Sequence, residues 1–163
     1  MPRRPRVLLD VNVVLDVLQR REPLFEDSAS LMAAVESGRC EGLMAAHTVT
    51  TLFYLVTKHA SAAVARVQVV ELLRLLKVAP VDQGVLEEAL ALPYGDLEDS
   101  VQMAAAERAG AEYLVTRDRA GYAAGPLPTL TPGELLGPGG RGLATTRRRR
   151  RMRFRSRSHV SAP

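Results

Sequence analysis

Short apolar runs alternate with longer amphipathic segments along most of the chain. Four runs of strand length cover residues 6–9, 42–46, 78–81 and 112–116. Between them, apolar residues recur every three or four positions, which is the spacing of helices that bury one face. The predicted helices occupy residues 12–25, 26–36, 48–58, 61–77, 83–92 and 97–110. Residue 129 allows a short edge strand, and residues 131–136 allow a last helical turn.

Residues that start and stop helices support these boundaries. Asp82 and Asp96 precede two of the predicted helices, where a carboxylate can accept hydrogen bonds from free backbone N–H groups. Gly38 and Gly110 follow two others, where the left-handed conformation suits glycine. Strands alternating with helices predict an α/β fold, with a central parallel sheet of four to five strands and helices on both faces. The uninterrupted apolar strands agree, because such strands are buried on both sides.

Composition limits the chain to one domain in a reducing environment. The sequence has 163 residues, of which 47% are apolar and 4% aromatic, so we predict one core built mainly from Ala, Val and Leu. Cys40 is the single cysteine, which excludes an internal disulfide and a cysteine zinc cluster. No stretch of about 18 residues is apolar and uncharged, so no membrane partner is expected. We therefore expect a cytoplasmic protein.

Charge divides the chain into an acidic body and a basic tail. Residues 147–163 contain eight Arg and no acid, so the tail carries +8 and the rest −4 within a net charge of +4. We predict a folded domain over residues 1–137, then a Gly/Pro-rich linker and a disordered Arg-rich tail over 138–163. The tail could contact nucleic-acid phosphates, form a solvated end or derive from an altered reading frame. The candidate phosphate contacts are Arg147, Arg148, Arg149, Arg150 and Arg151.

The residues that could carry out chemistry lie where the predicted strands end. Asp10 directly follows the first strand, and Asp118 lies two residues past the fourth. Asp96 and Asp99 open the preceding helix on one face. Ligands bind at the carboxyl edge of such sheets, and hard cations take clustered carboxylates as ligands. This pattern predicts a Mg²⁺ or Mn²⁺ site for phosphoryl transfer, in which the metal lowers the pKa of a water nucleophile.

Each of these residues also has an ordinary structural interpretation. Asp96 is a natural helix N-cap, and Asp118 could be a turn residue. Asn12 could cap its helix or orient Asp10. Thr116 could satisfy backbone groups at the strand end or hold a water bound to a metal.

Two further acids are predicted to lie outside the site. Asp16, on the first helix, is expected to be partly solvated. Glu98 lies about 100° around its helix from Asp99 and is expected to face away from the site.

Three segments in order resemble the PIN-domain family, which includes VapC-type toxin ribonucleases. They are VLLDVNVVLDVL, AHTVTTLFYLV and DLEDSVQMAAAERAGAEYLVTRD, and the resemblance covers about residues 6–136. It implies a three-layer α/β/α fold and Mg²⁺- or Mn²⁺-dependent endonuclease activity on RNA. It also implies an antitoxin protein as a possible partner and a homodimer. The helices over 48–58 and 62–77 could supply the dimer contact, although a core-facing stripe would look the same.

Site residues follow from the same resemblance. Asp10, Asp99 and Asp118 match family metal ligands, and Asp96 matches an auxiliary acid of one branch. Asn12 and Thr116 match small polar residues that line the site. At Thr51, by contrast, the family usually has a Glu, and a hydroxyl supplies no negative charge. Asp96 or Glu98 could compensate for the missing acid, although Glu98 would more naturally face away.

Three hypotheses follow. The first is an active metal-dependent ribonuclease that could be the toxin of a toxin–antitoxin pair. The second is a catalytically impaired PIN domain that binds RNA or a protein, because Thr51 replaces the Glu. The third is a scaffold whose Arg-rich tail binds nucleic acid.

Overall fold

A five-stranded parallel sheet forms the centre of the computed structural model, which describes residues 4–122, 124–138 and 143. Its strands are β1 (Arg6–Leu9), β2 (Glu41–Ala45), β3 (Lys77–Ala79), β4 (Tyr113–Val115) and β5 (Thr129–Leu130), in the spatial order β3-β2-β1-β4-β5. Leu8 on β1 pairs with Leu43 on one side and Leu114 on the other. The chain therefore leaves β1 toward one edge and returns to β1's other side with β4.

Among the described residues, seven α-helices cover the two faces of the sheet. They are α1 (Val11–Leu18), α2 (Phe25–Glu36), α3 (Ala46–His59), α4 (Ala62–Leu75), α5 (Gln83–Leu90), α6 (Leu97–Arg108) and α7 (Pro132–Leu136). Successive strand residues point to opposite faces. Val7 and Leu9 accordingly pack with α1–α4 and α7, whereas Leu8 packs with α5 and α6. The predicted three-layer α/β/α fold is confirmed.

Local signals place most helix ends where the sequence predicted them. The Asp82 carboxylate accepts from the Val85 N–H at 2.9 Å, and Asp96 caps α6. Gly38 and Gly110 follow α2 and α6 with φ of 74° and 72°. Residues that carry a Cβ rarely adopt this backbone conformation.

Three elements differ most from the sequence prediction. α1 ends at Leu18 rather than at residue 25, and Arg20, just after it, adopts a positive φ of 48°. β3 covers Lys77–Ala79 rather than 78–81, because its register is set by pairing with Leu43–Ala45 of β2. α4 buries Ala65 and Leu72 but exposes Val64, Val67, Val70 and Leu73, with Val67 63% exposed. The helix is thus apolar on its outer face as well as its inner face.

The predicted boundary near residue 137 stays a prediction, since α7 ends at Leu136 and only residues 138 and 143 are described beyond Gly137. The Arg-rich segment 147–163 lies outside the described residues. In the part that the structure does describe, none of the helices is both long and apolar enough to cross a bilayer.

Candidate active site

Asp10 lies at the centre of the sheet's carboxyl edge. It follows β1, and its backbone N–H donates to the Val115 carbonyl at 2.9 Å, which extends the pairing with β4. The side chain is only 9% exposed. Thr116 Oγ1 donates to its Oδ2 at 2.8 Å, and Gln102 Nε2 donates to its Oδ1 at 3.2 Å. Each oxygen of this buried carboxylate therefore has a donor.

Gln102 connects three segments that the sequence holds far apart. It lies on α6 and is 4% exposed. Its Nε2 donates to Asp10 and, at 2.9 Å, to the Tyr122 hydroxyl, while its Oε1 accepts from Thr48 Oγ1 at 3.2 Å. All the hydrogen-bonding groups of the amide are matched, which fixes its orientation.

Tyr122 extends this hydrogen-bond network to Asp99. Its hydroxyl donates to Asp99 Oδ1 at 2.6 Å, and the residue is 4% exposed. Burial, the hydrogen bond to Asp99 and the nearby charges of Asp10 and Asp99 raise the pKa of Tyr122. The phenol therefore keeps its proton and acts as a donor.

The other acids at this edge of the sheet affect the pKa of Asp99. Burial raises its pKa, and the negative charges of Asp96, Asp10 and Asp118 raise it further, against the opposing hydrogen bond from Tyr122. A bound cation would offset this repulsion and favour the ionised form of Asp99.

Asp118 faces Asp99 across Gly121. A Cβ built on Gly121 would lie 3.5 Å from Asp118 Oδ2 and 3.7 Å from Asp99 Oδ2. Glycine therefore leaves open the space between the two carboxylates. Asp118 is exposed, its N–H donates to Thr116 Oγ1 at 3.2 Å, and its Oδ1 accepts from the Gly121 N–H at 3.4 Å. Asp118 is thus a turn residue that lies near Asp99, and its role as a site residue stays a prediction.

The donor set suits a hard divalent cation by its chemistry. Carboxylate oxygens of Asp10, Asp99 and Asp118 lie at one edge, and two of them border the space beside Gly121. Within residues 4–122, 124–138 and 143, however, no group of three or more His, Cys, Asp or Glu is arranged so that it could hold an ion. The side chains are of the type that binds a hard cation, but their spacing in the structure does not form a complete set of ligands.

Other predicted residues have more local roles. Asp96 is the N-cap of α6, and its Oδ1 accepts from the N–H groups of Glu98 and Asp99 at 2.8 and 3.2 Å. Thr116 orients Asp10 and also accepts from Asp118, so it does satisfy the strand end. Asn12 lies inside α1 behind its N-cap Asp10, and in the described part of the chain it makes no hydrogen bond to Asp10.

The prediction that Glu98 faces away from the site is wrong. Thr51 Oγ1 donates to the His47 carbonyl at 3.2 Å and lies 3.4 Å from Glu98 Oε1. The long Glu98 side chain thus reaches from the first turn of α6 across to α3. It brings a carboxylate beside Thr51.

The prediction that Asp16 is partly solvated is also wrong. Asp16 is fully buried, its Oδ1 lies 3.1 Å from Arg117 Nη1, and Ser28 donates to its Oδ2 at 3.4 Å. Burial raises its pKa, and the Arg117 charge and the Ser28 hydrogen bond oppose that rise. Helical spacing could not reveal this pair, because Arg117 comes from the segment after β4.

We expect Arg117→Met to lower the free energy of unfolding at pH 7 by about 3 kcal/mol, because it leaves the Asp16 charge buried without its partner. Without Arg117 the pKa of Asp16 should rise further above its unfolded value. The folded state then binds the proton more tightly, so the deficit should shrink as the pH falls from 7 toward 5. Urea denaturation at both pH values measures it. Asp16→Asn with Arg117→Met should recover most of the loss; a double variant as unstable as the single one would contradict this account.

Gln102 and Tyr122 are the site residues that sequence reasoning missed. Gln102 lies three residues after Asp99, and so on the same face of α6, inside an otherwise Ala-rich buried run. A polar side chain in such a run is a usable signal. Tyr122 reaches the site only through the short helical turn Ala120–Tyr122, which sequence spacing does not place.

Comparison with known proteins gives consistent matches. The sequence profile described as PIN domain matches residues 6–120. Ribonuclease VapC1 of Aquifex aeolicus is 24% identical over 122 residues, which cover 72% of this chain and 84% of that protein.

Solved structures share the fold. A toxin–antitoxin complex from Klebsiella pneumoniae contains a chain with a TM-score of 0.60 and 22% identity, and the match covers 78% of this chain and 98% of that one. Mycobacterium tuberculosis VapC20, described as a sarcin-ricin loop cleaving toxin, has a TM-score of 0.60 and 15% identity, with 73% and 95% covered. At these identities, the likeness concerns the fold.

Proposed function

This chain belongs to the PIN-domain family, and on that premise we propose that it is a metal-dependent endoribonuclease. One observation carries the proposal: Asp10, Asp99 and Asp118 come from three separate segments, and the charges of Asp10 and Asp118 both disfavour ionisation of Asp99. Repulsion of this kind is costly unless a cation offsets it. The relative named ribonuclease agrees with RNA as the substrate.

The residues have distinct proposed roles. Asp10, Asp99 and Asp118 would hold Mg²⁺ or Mn²⁺, with Asp96 as an auxiliary acid. The bound ion would supply a nucleophilic water at neutral pH and offset charge on the phosphodiester. Thr116 orients both Asp10 and Asp118, because its hydroxyl donates to one and accepts from the backbone of the other.

Cleavage of end-labelled single-stranded RNA by the full chain tests the proposal. We expect hydrolysis with Mn²⁺ or Mg²⁺ and none above background with EDTA, because the carboxylates alone cannot activate water. Restoring the metal after chelation should restore the rate. Cleavage that continues unchanged in EDTA would rule out a metal-dependent site.

A toxin–antitoxin context is the finer part of this proposal. The K. pneumoniae structure is a toxin–antitoxin complex, and we propose that a small antitoxin likewise covers the acidic edge of this chain. We also propose a homodimer that packs the exposed apolar face of α4, formed by Val64, Val67, Val70 and Leu73. An apolar face of this kind is typical of protein contacts.

Thr51 favours a second candidate, a catalytically impaired domain that binds RNA without cutting it. Thr51→Glu tests this, because it places a carboxylate on α3 near Glu98 and should raise metal affinity. If the native chain is impaired, Mn²⁺-dependent cleavage should rise by about 10-fold or more, the size of effect associated with ligand support. Thr50→Glu, one position earlier on the exposed side of α3, is the matched control. An unchanged rate in Thr51→Glu would argue against a missing acid as the limitation.

A further inference from the structure

Asp118 lies between two arginines that each pair with an acid on another element. Arg117 Nη1 lies 3.1 Å from Asp16 Oδ1 on α1. Arg119 pairs with Glu134 on α7. Asp16 is fully buried and the Arg117 side chain is 31% exposed, whereas the two side chains of the Arg119 pair are 52% and 41% exposed. An exposed ion pair adds only about 0–1 kcal/mol, so the buried pair is the one expected to restrain the chain beside Asp118.

The alternation of β4 explains why Arg117 reaches α1. Successive strand residues point to opposite faces of a sheet. Leu114 packs in the core on the side of α5 and α6, and Val115 packs in the core that contains α1. The alternation continues for two residues past the strand, so the Thr116 side chain turns toward Asp10 and the Arg117 side chain turns toward α1. The direction of β4 therefore sets which side of the sheet Arg117 occupies.

The ion pair of Asp16 and Arg117 joins two segments that carry acids of the candidate site. Asp16 belongs to α1, whose N-cap is Asp10, and Arg117 directly precedes Asp118. The other contacts of Asp118 are long: its N–H donates to Thr116 Oγ1 at 3.2 Å, and its Oδ1 accepts from a backbone N–H at 3.4 Å. Such bonds are usually about 2.9–3.0 Å long, so these two hold Asp118 weakly. The restraint that α1 places on this segment passes through Arg117.

The burial of this ion pair indicates a role in positioning more than in stability. Apolar residues of similar size often stabilise a fold as well as a buried ion pair does, or better. Ser28 on α2 donates to Asp16 Oδ2 at 3.4 Å, so the acid is itself held by a second helix. An apolar contact has no preferred direction, whereas a charged contact between held partners fixes where residue 117 lies relative to α1.

We propose that Arg117, held by Asp16, is a positioning residue that fixes Asp118 relative to Asp10. This inference rests on the proposed function, in which Asp10 and Asp118 hold one metal ion. Without the ion pair, residues 116–118 gain freedom, and the two carboxylates spend less time at the spacing that one ion requires. An Arg117 with a merely structural role would change the stability of the whole domain and nothing else.

Amide hydrogen exchange of the metal-free full chain, followed residue by residue by NMR, tests the positioning directly. The test variant combines Arg117→Met with Asp16→Asn, which removes both charges and should keep near-native stability. We expect the Asp118 N–H to exchange about 10-fold faster, because local opening costs less free energy once the restraint is lost. The Leu114 N–H, which donates to the Pro128 carbonyl inside the sheet, should keep its native rate. Arg117→Lys retains a charged partner for Asp16 and should keep most of the native protection at Asp118.

Calorimetric titration with Mn²⁺ gives a second readout, which separates positioning from charge. The double variant loses one positive and one negative charge, so its net charge is unchanged. We expect Mn²⁺ affinity to fall by about 10-fold, as for other residues that support metal ligands. Arg119→Met with Glu134→Gln is the matched control, because it makes the same two changes in the exposed ion pair on the other side of Asp118. This control should keep native Mn²⁺ affinity and native exchange at Asp118.

Three outcomes would overturn the inference. The first is native exchange at Asp118 together with native Mn²⁺ affinity in the double variant. The second is faster exchange at Leu114 by the same factor as at Asp118, which would make the ion pair a general stabiliser. The third is an equal effect in the Arg119 control. Failure of the native chain to cleave RNA or to bind Mn²⁺ refutes only the proposed function, because exchange in the metal-free protein still decides whether Arg117 positions Asp118.

Discussion

Asp99→Asn is expected to reduce RNA cleavage by more than about 100-fold while leaving the protein folded. The loss of residues that merely support metal ligands costs about 10–100-fold, so the loss of a ligand charge should exceed that range. Asn can still accept the hydrogen bond that Tyr122 donates to Oδ1. The substitution therefore removes the negative charge and retains the main contact.

The same variant should be at least as stable as the native protein. Asp99 is held among Asp96, Asp10 and Asp118, which raise its pKa, so a neutral amide relieves repulsion in the folded state. Stabilisation with loss of activity is typical of a site assembled at a cost to the fold. Initial cleavage rates in Mn²⁺ and thermal melting measure the two effects.

Glu107→Gln provides the matched control for this experiment. It makes the same carboxylate-to-amide change on α6, but at an exposed position near the far end of the helix. It should leave both rate and stability unchanged. If Asp99→Asn retained more than half of the native rate, Asp99 would have no place in the chemistry.

Gln102→Met is expected to reduce cleavage by about 10–100-fold, although Gln102 has no proposed contact with metal or RNA. Met has a similar shape but neither donates to Asp10 and Tyr122 nor accepts from Thr48 as the amide does. Asp10 Oδ1 then loses its donor inside a nearly closed site. The relative positions of Asp10 and Asp99, which the amide fixes through Tyr122, should loosen.

Calorimetric titration with Mn²⁺ separates this positioning role from a general loss of structure. We expect weaker Mn²⁺ binding in Gln102→Met at a temperature where the variant is still fully folded by circular dichroism. Gln83→Met, on the exposed surface of α5, should change neither metal affinity nor rate. Native Mn²⁺ affinity together with a native rate in Gln102→Met would show that the network does not support the site.

Much of the architecture and part of the site could be predicted because those signals are local. The apolar run of β1 and the acid after it, Asp10, are adjacent in sequence, so any parallel arrangement places that acid at the carboxyl edge. The capping role of Asp96 and the turn at Gly110 depend on a few neighbouring residues. Such local features depend little on how the rest of the chain folds.

Three predictions were wrong because they depended on partners that the local sequence does not show. Asp16 looked solvated because its neutralising partner, Arg117, is 101 residues away in sequence, yet 3.1 Å away in space. Glu98 was predicted to face away from the site because its angular position on the helix does not show how far its flexible side chain reaches toward Thr51. β3 shifted because its register depends on β2.

Periodicity and chain adjacency are enough to predict the α/β class, the order of the strands and helices along the chain and the acids next to them. The hydrogen bonds by which Gln102 and Tyr122 join Asp10 to Asp99 depend instead on the packed three-dimensional fold. It also decided that His47 is left with buried, unpartnered nitrogens among the described residues. The reason is physical: a hydrogen bond forms only within about 3.5 Å, and which side chains come that close is set by packing of the sheet and its helices.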